Sequence, residues 1–179
     1  MIRELPKSLE VCGQDFEIFT DFRDIIEICI ALRDKSIDDN EKAIILLNNL
    51  YKCELSDIPD PHEAVNKAMW FLDWGQTYDD QDEHAPSLLD WDKDYNYICA
   101  AVNLKIPNVI DIRDIDYMHW WTFLGYLAER GKCYLSTIID IRDKIAKGKK
   151  LEKWELEFYN ENRNDIDIET FEEEDDFWK

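Results

Sequence analysis

At 179 residues the chain is long enough to bury a real core, and its 45% hydrophobic content excludes disorder throughout. Its 41 acidic against 21 basic side chains give a formal net charge of −20, which opposes direct binding to nucleic acid or an anionic membrane, whose phosphates it repels. Five prolines and five glycines are few for this length and favour long helices over a turn-rich β-sandwich.

From the N-terminus, Leu9 and Val11 alternate with polar neighbours before Gly13, and Phe16 and Ile18 alternate after it. This predicts a short hairpin turning at Gly13-Gln14. Thr20 or Asp21 then caps a first helix with Phe22, Ile25, Ile26, Cys29 and Leu32 on one face. Asp38 or Asp39 starts a second, in which Ile44, Leu47 and Tyr51 share a face that Ile45, Leu46 and Leu50 widen. Pro61 opens a third helix aligning Val65, Ala68, Met69 and Leu72, with Trp70, Phe71 and Trp74 enlarging its apolar surface.

The stretch from Asp73 to Asp94 is acidic and holds a loop near Tyr78 to Pro86. It lacks the central glycine and terminal glutamate of a calcium-binding EF-hand. Trp91, Tyr95, Ile98, Cys99 and Val102 align on a fourth helix that ends near Pro107. The fifth is central: Tyr117, Trp120, Trp121, Leu124, Leu127 and Ala128 form one apolar stripe, while His119, Phe123 and Tyr126 add aromatic groups on the other side. Asp114 or Asp116 is its expected cap and Gly131 its stop.

Leu135, Ile138, Ile139 and Ala146 define a sixth helix stopped near Gly148, and Leu151, Trp154 and Phe158 share a face of a seventh. The fold expected is mostly α: one helical domain of about six to seven helices with a small N-terminal β-hairpin over 1–164, followed by an acidic, mobile tail over 165–179. Lys and Arg concentrate late in the chain, where Arg142, Lys144, Lys147, Lys149, Lys150 and Lys153 form a basic segment in an acidic protein. These six, with Phe177 and Trp178 at the end of the tail, are the candidate contacts for self-association or a partner.

No catalytic constellation emerges: G-x-S-x-G, H-E-x-x-H, P-loop and G-x-G-x-x-G patterns are all absent, so no enzyme is expected. His62, His84 and His119 lack partners at metal-ligand spacing, and neither metal nor cofactor is expected. The five cysteines are odd in number and form no C-x-x-C pair, as free thiols in a reducing compartment would be. Without a signal peptide or an apolar run of about 18 residues, the expected location is the cytoplasm.

Thr20-Asp21-Phe22-Arg23, Tyr117-Met118-His119-Trp120-Trp121-Thr122-Phe123, Ile138-Ile139-Asp140-Ile141-Arg142-Asp143-Lys144 and Lys147-Gly148-Lys149-Lys150-Leu151-Glu152-Lys153-Trp154 carry a resemblance. Together they are similar to a bacteriophage tail assembly chaperone-like family encoded beside the tail tape-measure gene. His119, Trp120 and Trp121 are its marker in the core. Val102-Asn103-Leu104-Lys105-Ile106-Pro107 departs from the family's pattern, where a tyrosine-glycine pair is expected before the central helix. The resemblance implies a non-enzymatic, homo-oligomeric factor in the host bacterial cytoplasm that binds the tape-measure protein and keeps it soluble. Two other readings are a structural virion component, such as a tail or connector subunit, and an acidic decoy of a host nucleic-acid-binding protein.

Overall fold

The computed structural model describes residues 4–76, 88–107 and 111–168. Among them are one two-stranded antiparallel sheet and eight α-helices, so the fold is mostly α with a small N-terminal hairpin. Among the described residues no helix is long and apolar enough to cross a membrane. All five cysteines are free thiols. The chain forms two compact units interleaved in sequence, the described parts of Met1–Tyr78 with Asp116–Gly125, and of Asp79–Ile115 with Tyr126–Lys179.

In the first unit, β1 (Ser8–Val11) pairs with β2 (Gln14–Glu17) so that Leu9 faces Phe16 and Val11 faces Gln14. The turn is therefore Cys12-Gly13, one residue earlier than expected. Both turn residues have positive φ, 51° and 78°, and this twist matches that of the strands. Leu9, Val11, Phe16 and Ile18 are buried, as their alternation predicts.

Helix α1 (Phe22–Arg33) is capped by Asp21, α2 (Asp39–Leu50) by Asp38 and α3 (Pro61–Leu72) by Asp60. Each cap carboxylate accepts backbone N–H groups of the first turn, an arrangement that stabilises a helix by about 1 kcal/mol. Phe22, Ile25, Ile26 and Ile28 bury the inner face of α1, which packs on α2. On α2 the buried apolar row is Leu46, Leu47 and Leu50, whereas Ile44, expected on the core face, is 50% exposed. Tyr51 leaves the helix to form a backbone bridge with Ile18 and donates its hydroxyl to Ala64 O at 2.8 Å. Ala64 and Ala68 are the small residues of α3, which packs on α2 and β1 with Phe71 fully buried.

The second unit contains α4 (Tyr95–Asn103), α6 (Tyr134–Ala146), α7 (Lys153–Glu161) and α8 (Arg163–Ile166). Between them in sequence lies α5 (Trp120–Ala128), whose residues up to Gly125 group with the first unit and the rest with the second. Helix α4 packs on α6, and Ile138, Ile141 and Ile166 form a buried cluster edged by Tyr97, Leu151, Phe158 and Tyr159. Trp91 lies in a turn before α4, not within it. Of Leu151, Trp154 and Phe158, expected to share a face, Leu151 and Phe158 pack on that cluster while Trp154 is 54% exposed.

Helix α8 revises the start of the tail. Ile166 is 1% exposed, and the hydroxyls of Tyr134 and Tyr97 reach Asp165 Oδ2 at 2.7 and 2.8 Å. Residues 165–167 thus pack with the unit.

Candidate functional site

Two distant stretches meet in the first unit. Thr20-Asp21-Phe22 runs antiparallel to Met118-His119-Trp120, with Phe22 N–H donating to Met118 O at 3.0 Å and Trp120 N–H to Thr20 O at 2.7 Å. Asp21 does more than cap α1: its Oδ2 also accepts Met118 N–H at 3.1 Å, and its two oxygens take the Arg23 guanidinium at 2.7 and 2.9 Å. Burial opposes the charge on Asp21, but hydrogen bonds from the Arg23 side chain and backbone and from Met118 outweigh it and hold the carboxyl below its ordinary range. Arg23 continues the link by donating to Asp116 O at 2.8 Å, and Thr20 Oγ1 lies 2.8 Å from the Tyr117 hydroxyl.

His119 supplies the start of α5, a role expected of Asp114 or Asp116. Its carbonyl accepts Phe123 N–H at 3.0 Å, and its Nδ1 accepts Trp121 N–H, also at 3.0 Å. Nε2 lies 2.8 Å from Pro6 O, which can only accept, so Nε2 carries the hydrogen and the ring is neutral. Burial pushes the imidazole pKa down against the opposing pull of the Pro6 carbonyl.

Both tryptophans finish α3. Trp120 Nε1 donates to Leu72 O at 2.9 Å and Trp121 Nε1 to Phe71 O at 2.8 Å, satisfying carbonyls that a helix end leaves open. Trp120 stacks on Phe123, which stacks on Phe22 at 4.8 Å, and Trp121 lies against Phe71 and Trp70. Beyond α3 the chain turns through Trp74 and Gly75, both at positive φ. A Cβ on Gly75 would stand 2.8 Å from the Trp121 ring, so only glycine fits there. The apolar stripe expected on α5 is displaced: Trp120, Phe123 and Leu127 are buried, while Tyr117 precedes the helix and is 55% exposed.

In the second unit the basic segment divides. Arg142, expected as a contact, is 4% exposed and is an internal tie instead. It grips Asp94 through two hydrogen bonds of 2.5 and 3.0 Å and donates to the carbonyls of Leu88, Asp165 and Ile166. A guanidinium has five donors in a fixed fork, which suits it to join a carboxylate and several backbone oxygens at once. Lys144 pairs with Glu155 at 2.5 Å, tying the end of α6 to α7; the Glu155 carboxylate is held low first by that hydrogen bond. Lys147 pairs with Asp143, and Lys153 reaches Glu157 at 3.9 Å. Lys149 and Lys150 are exposed with no carboxylate at ion-pair distance among the described residues. Phe177 and Trp178, like His84 and the loop from Tyr78 to Pro86, lie outside the described residues.

Metal-ligating chemistry comes together at one exposed place among the described residues, where Cys12, Asp60 and Glu63 offer ligand atoms within 4.8 Å of one another. The Cys12 thiol donates to Glu63 Oε2 at 3.3 Å, and that hydrogen bond raises its pKa. Asp60 is engaged in capping α3. These groups hold the hairpin tip to the first turn of α3.

A family model described as bacteriophage Gp15 protein matches residues 1–167. The chain belongs to the bacteriophage Gp15 protein family. The Gp15 match takes in the Asp21–His119 junction, the tryptophans and the basic segment, and it ends one residue beyond α8. Neither a curated protein nor a solved structure matches significantly. The phage origin expected from the resemblance is thus shown, while Asp94 and Gly75 are parts of the scaffold that sequence reasoning missed. Asp21 was expected as a candidate cap of α1, but not as the tie to Met118.

Proposed function

We propose that this Gp15-family protein is a tail assembly chaperone that binds the phage tape-measure protein and keeps it soluble in the host cytoplasm, without enzymatic activity or a cofactor. The observation that supports this is the exposure of large apolar side chains on an acidic body. Ile145 on α6 and Trp154 and Leu156 on α7 are 45%, 54% and 50% exposed, the last two on opposite sides of their helix. Exposed large apolar groups with a tryptophan among them suit contact with a partner, and a helical client offers apolar side chains to meet them. The charge of −20 keeps the complex soluble.

Co-expression with the tape-measure protein tests the reading. The client should move into the soluble fraction and co-purify with the wild-type chain, and both effects should weaken for Trp154→Ala/Leu156→Ala. A client that is equally soluble alone and never co-purifies would sink it. Recovery of the chain in purified mature virions, by mass spectrometry, would point to a structural tail or connector subunit instead.

A further inference from the structure

Two adjacent residues at the end of α3, Asp73 and Trp74, have side chains without polar or ring partners. Of the first unit's four tryptophans, Trp70, Trp120 and Trp121 make ring contacts or indole hydrogen bonds, whereas Trp74 makes neither among the described residues and is 39% exposed. Its φ of 59° is an outlier for a bulky residue. The ring nevertheless has a fixed bed: a Cβ on Gly125, one turn beyond Trp121 on α5, would stand 3.8 Å from it. Trp70 and Trp121 crowd the neighbouring Gly75, so three indoles gather at this turn.

Asp73 is partly buried, and among the described residues its carboxylate accepts no hydrogen bond and meets no cation at ion-pair distance. Burial pushes its pKa up with nothing to oppose it. Arg33 of α1 acts on the Cys29 thiol, which also feels Asp73, yet it forms no ion pair with the carboxylate. The carbonyl end of α3 adds its own negative pole at the same place. An unpartnered carboxylate, an exposed indole and a tryptophan at positive φ each cost stability, and all three fall on two consecutive residues. Strain of this kind clusters at sites that clamp a ligand.

One chemical group supplies both missing partners. A guanidinium is planar, stacks on an indole face and offers paired N–H donors to a carboxylate, a combination that an ammonium lacks. We infer that Asp73 and Trp74 form a receptor for an arginine side chain of a protein partner, the carboxylate taking the guanidinium while the indole covers its plane and stem. The net charge of −20 draws cationic partners toward it. The receptor stands on this geometry; that the arginine belongs to the tape-measure protein rests on the chaperone reading.

Fluorine NMR of the full chain labelled with 5-fluorotryptophan tests the receptor without any client, the Trp74 and Trp120 resonances being assigned with Trp74→Phe and Trp120→Phe. N-acetyl-arginine amide, titrated to about 100 mM against a sodium chloride blank of equal ionic strength, should move the Trp74 resonance to saturation and leave that of the buried Trp120 in place. N-acetyl-citrulline amide, of the same shape without the charge, should leave both where they are. In Asp73→Asn, whose Trp120 resonance reports the intact fold, the affinity for the arginine amide should fall about tenfold or more. No movement with the arginine amide, equal movement with the citrulline amide, or an affinity unchanged in Asp73→Asn overturns the proposal. A positive titration beside a tape-measure protein that never co-purifies would uphold the receptor and sink the chaperone reading alone.

Discussion

The Nδ1 atom of His119 accepts the backbone N–H of Trp121 at 3.0 Å, so an imidazole does at the start of α5 what aspartates do at the starts of α1, α2 and α3. Unlike an aspartate, this cap is lost on protonation, because Nδ1 then turns a second donor toward the N–H it should accept. Burial has lowered the folded-state pKa below the ordinary imidazole value of about 6.5. The sign follows: the contribution is fully present above about pH 6.5 and disappears as pH falls through the lowered folded value. Thermal denaturation from pH 8 to pH 5 should show a declining Tm. The decline should be shallower in His119→Asn, which keeps an acceptor at the cap but does not titrate. Equal slopes in the two proteins would remove His119 from the account.

Asp73 acts in the opposite direction. Burial at the end of α3 pushes its carboxyl up to about 6, so the folded state disfavours its charge. Stability from this group is present at low pH and is lost as pH rises through about 6. Asp73→Asn should stabilise the protein at pH 8 by about 1 kcal/mol, discounted for the solvent that still reaches the side chain, and by little at pH 4. Urea denaturation at the two pH values separates the cases.

Gly75→Ala and Gly148→Ala place the same methyl group on two residues with positive φ, 74° and 61°. At Gly148 nothing lies within 4 Å, so only backbone strain is added, about 1 kcal/mol. At Gly75 the methyl also meets the Trp121 ring at 2.8 Å, and the loss should be about 2–4 kcal/mol. Denaturant midpoints for the two variants measure the difference; equal losses would mean that the Trp121 ring yields freely.

Arg142→Ala leaves Asp94, which is 0% exposed, charged and without its bidentate partner. Losses of about 3–5 kcal/mol are typical of such a cut. Lys149→Ala should cost under about 0.5 kcal/mol, as exposed substitutions do. Calorimetry on both variants checks the division of the basic segment into a buried tie and a free surface.

Much of the fold was legible because its signals are local. Alternation marked the hairpin, Asp21, Asp38 and Pro61 marked helix starts, and the family motifs pointed to a phage protein. What was not legible depends on which of two apolar faces finds a neighbour. Ile44 and Leu46 are equally hydrophobic, yet only Leu46 is buried, and the periodicity of α2 contains nothing to choose between them. Leu151, Trp154 and Phe158 read as one face for the same reason, yet Trp154 is exposed. The candidate site suffered from pairing across long separations: Arg142 and Asp94 stand 48 residues apart, so one read as a surface cation and the other as part of a solvated acidic stretch. Composition records charges but not their partners.

The backbone bridge between Asp21 and His119 has a consequence for the order of synthesis. The first unit takes Trp120 and Trp121 from residues 116–125, so a nascent chain ending near residue 76 has α1, α2 and α3 but nothing to finish them. Phe71 and Leu72 then keep their terminal carbonyls open, and Phe22 lacks its stacking partner. About 50 further residues must be added, roughly 3–10 s at ordinary elongation rates, before this unit can close. During that interval the growing polypeptide itself is an exposed apolar segment on the ribosome, dependent on its own later residues for cover.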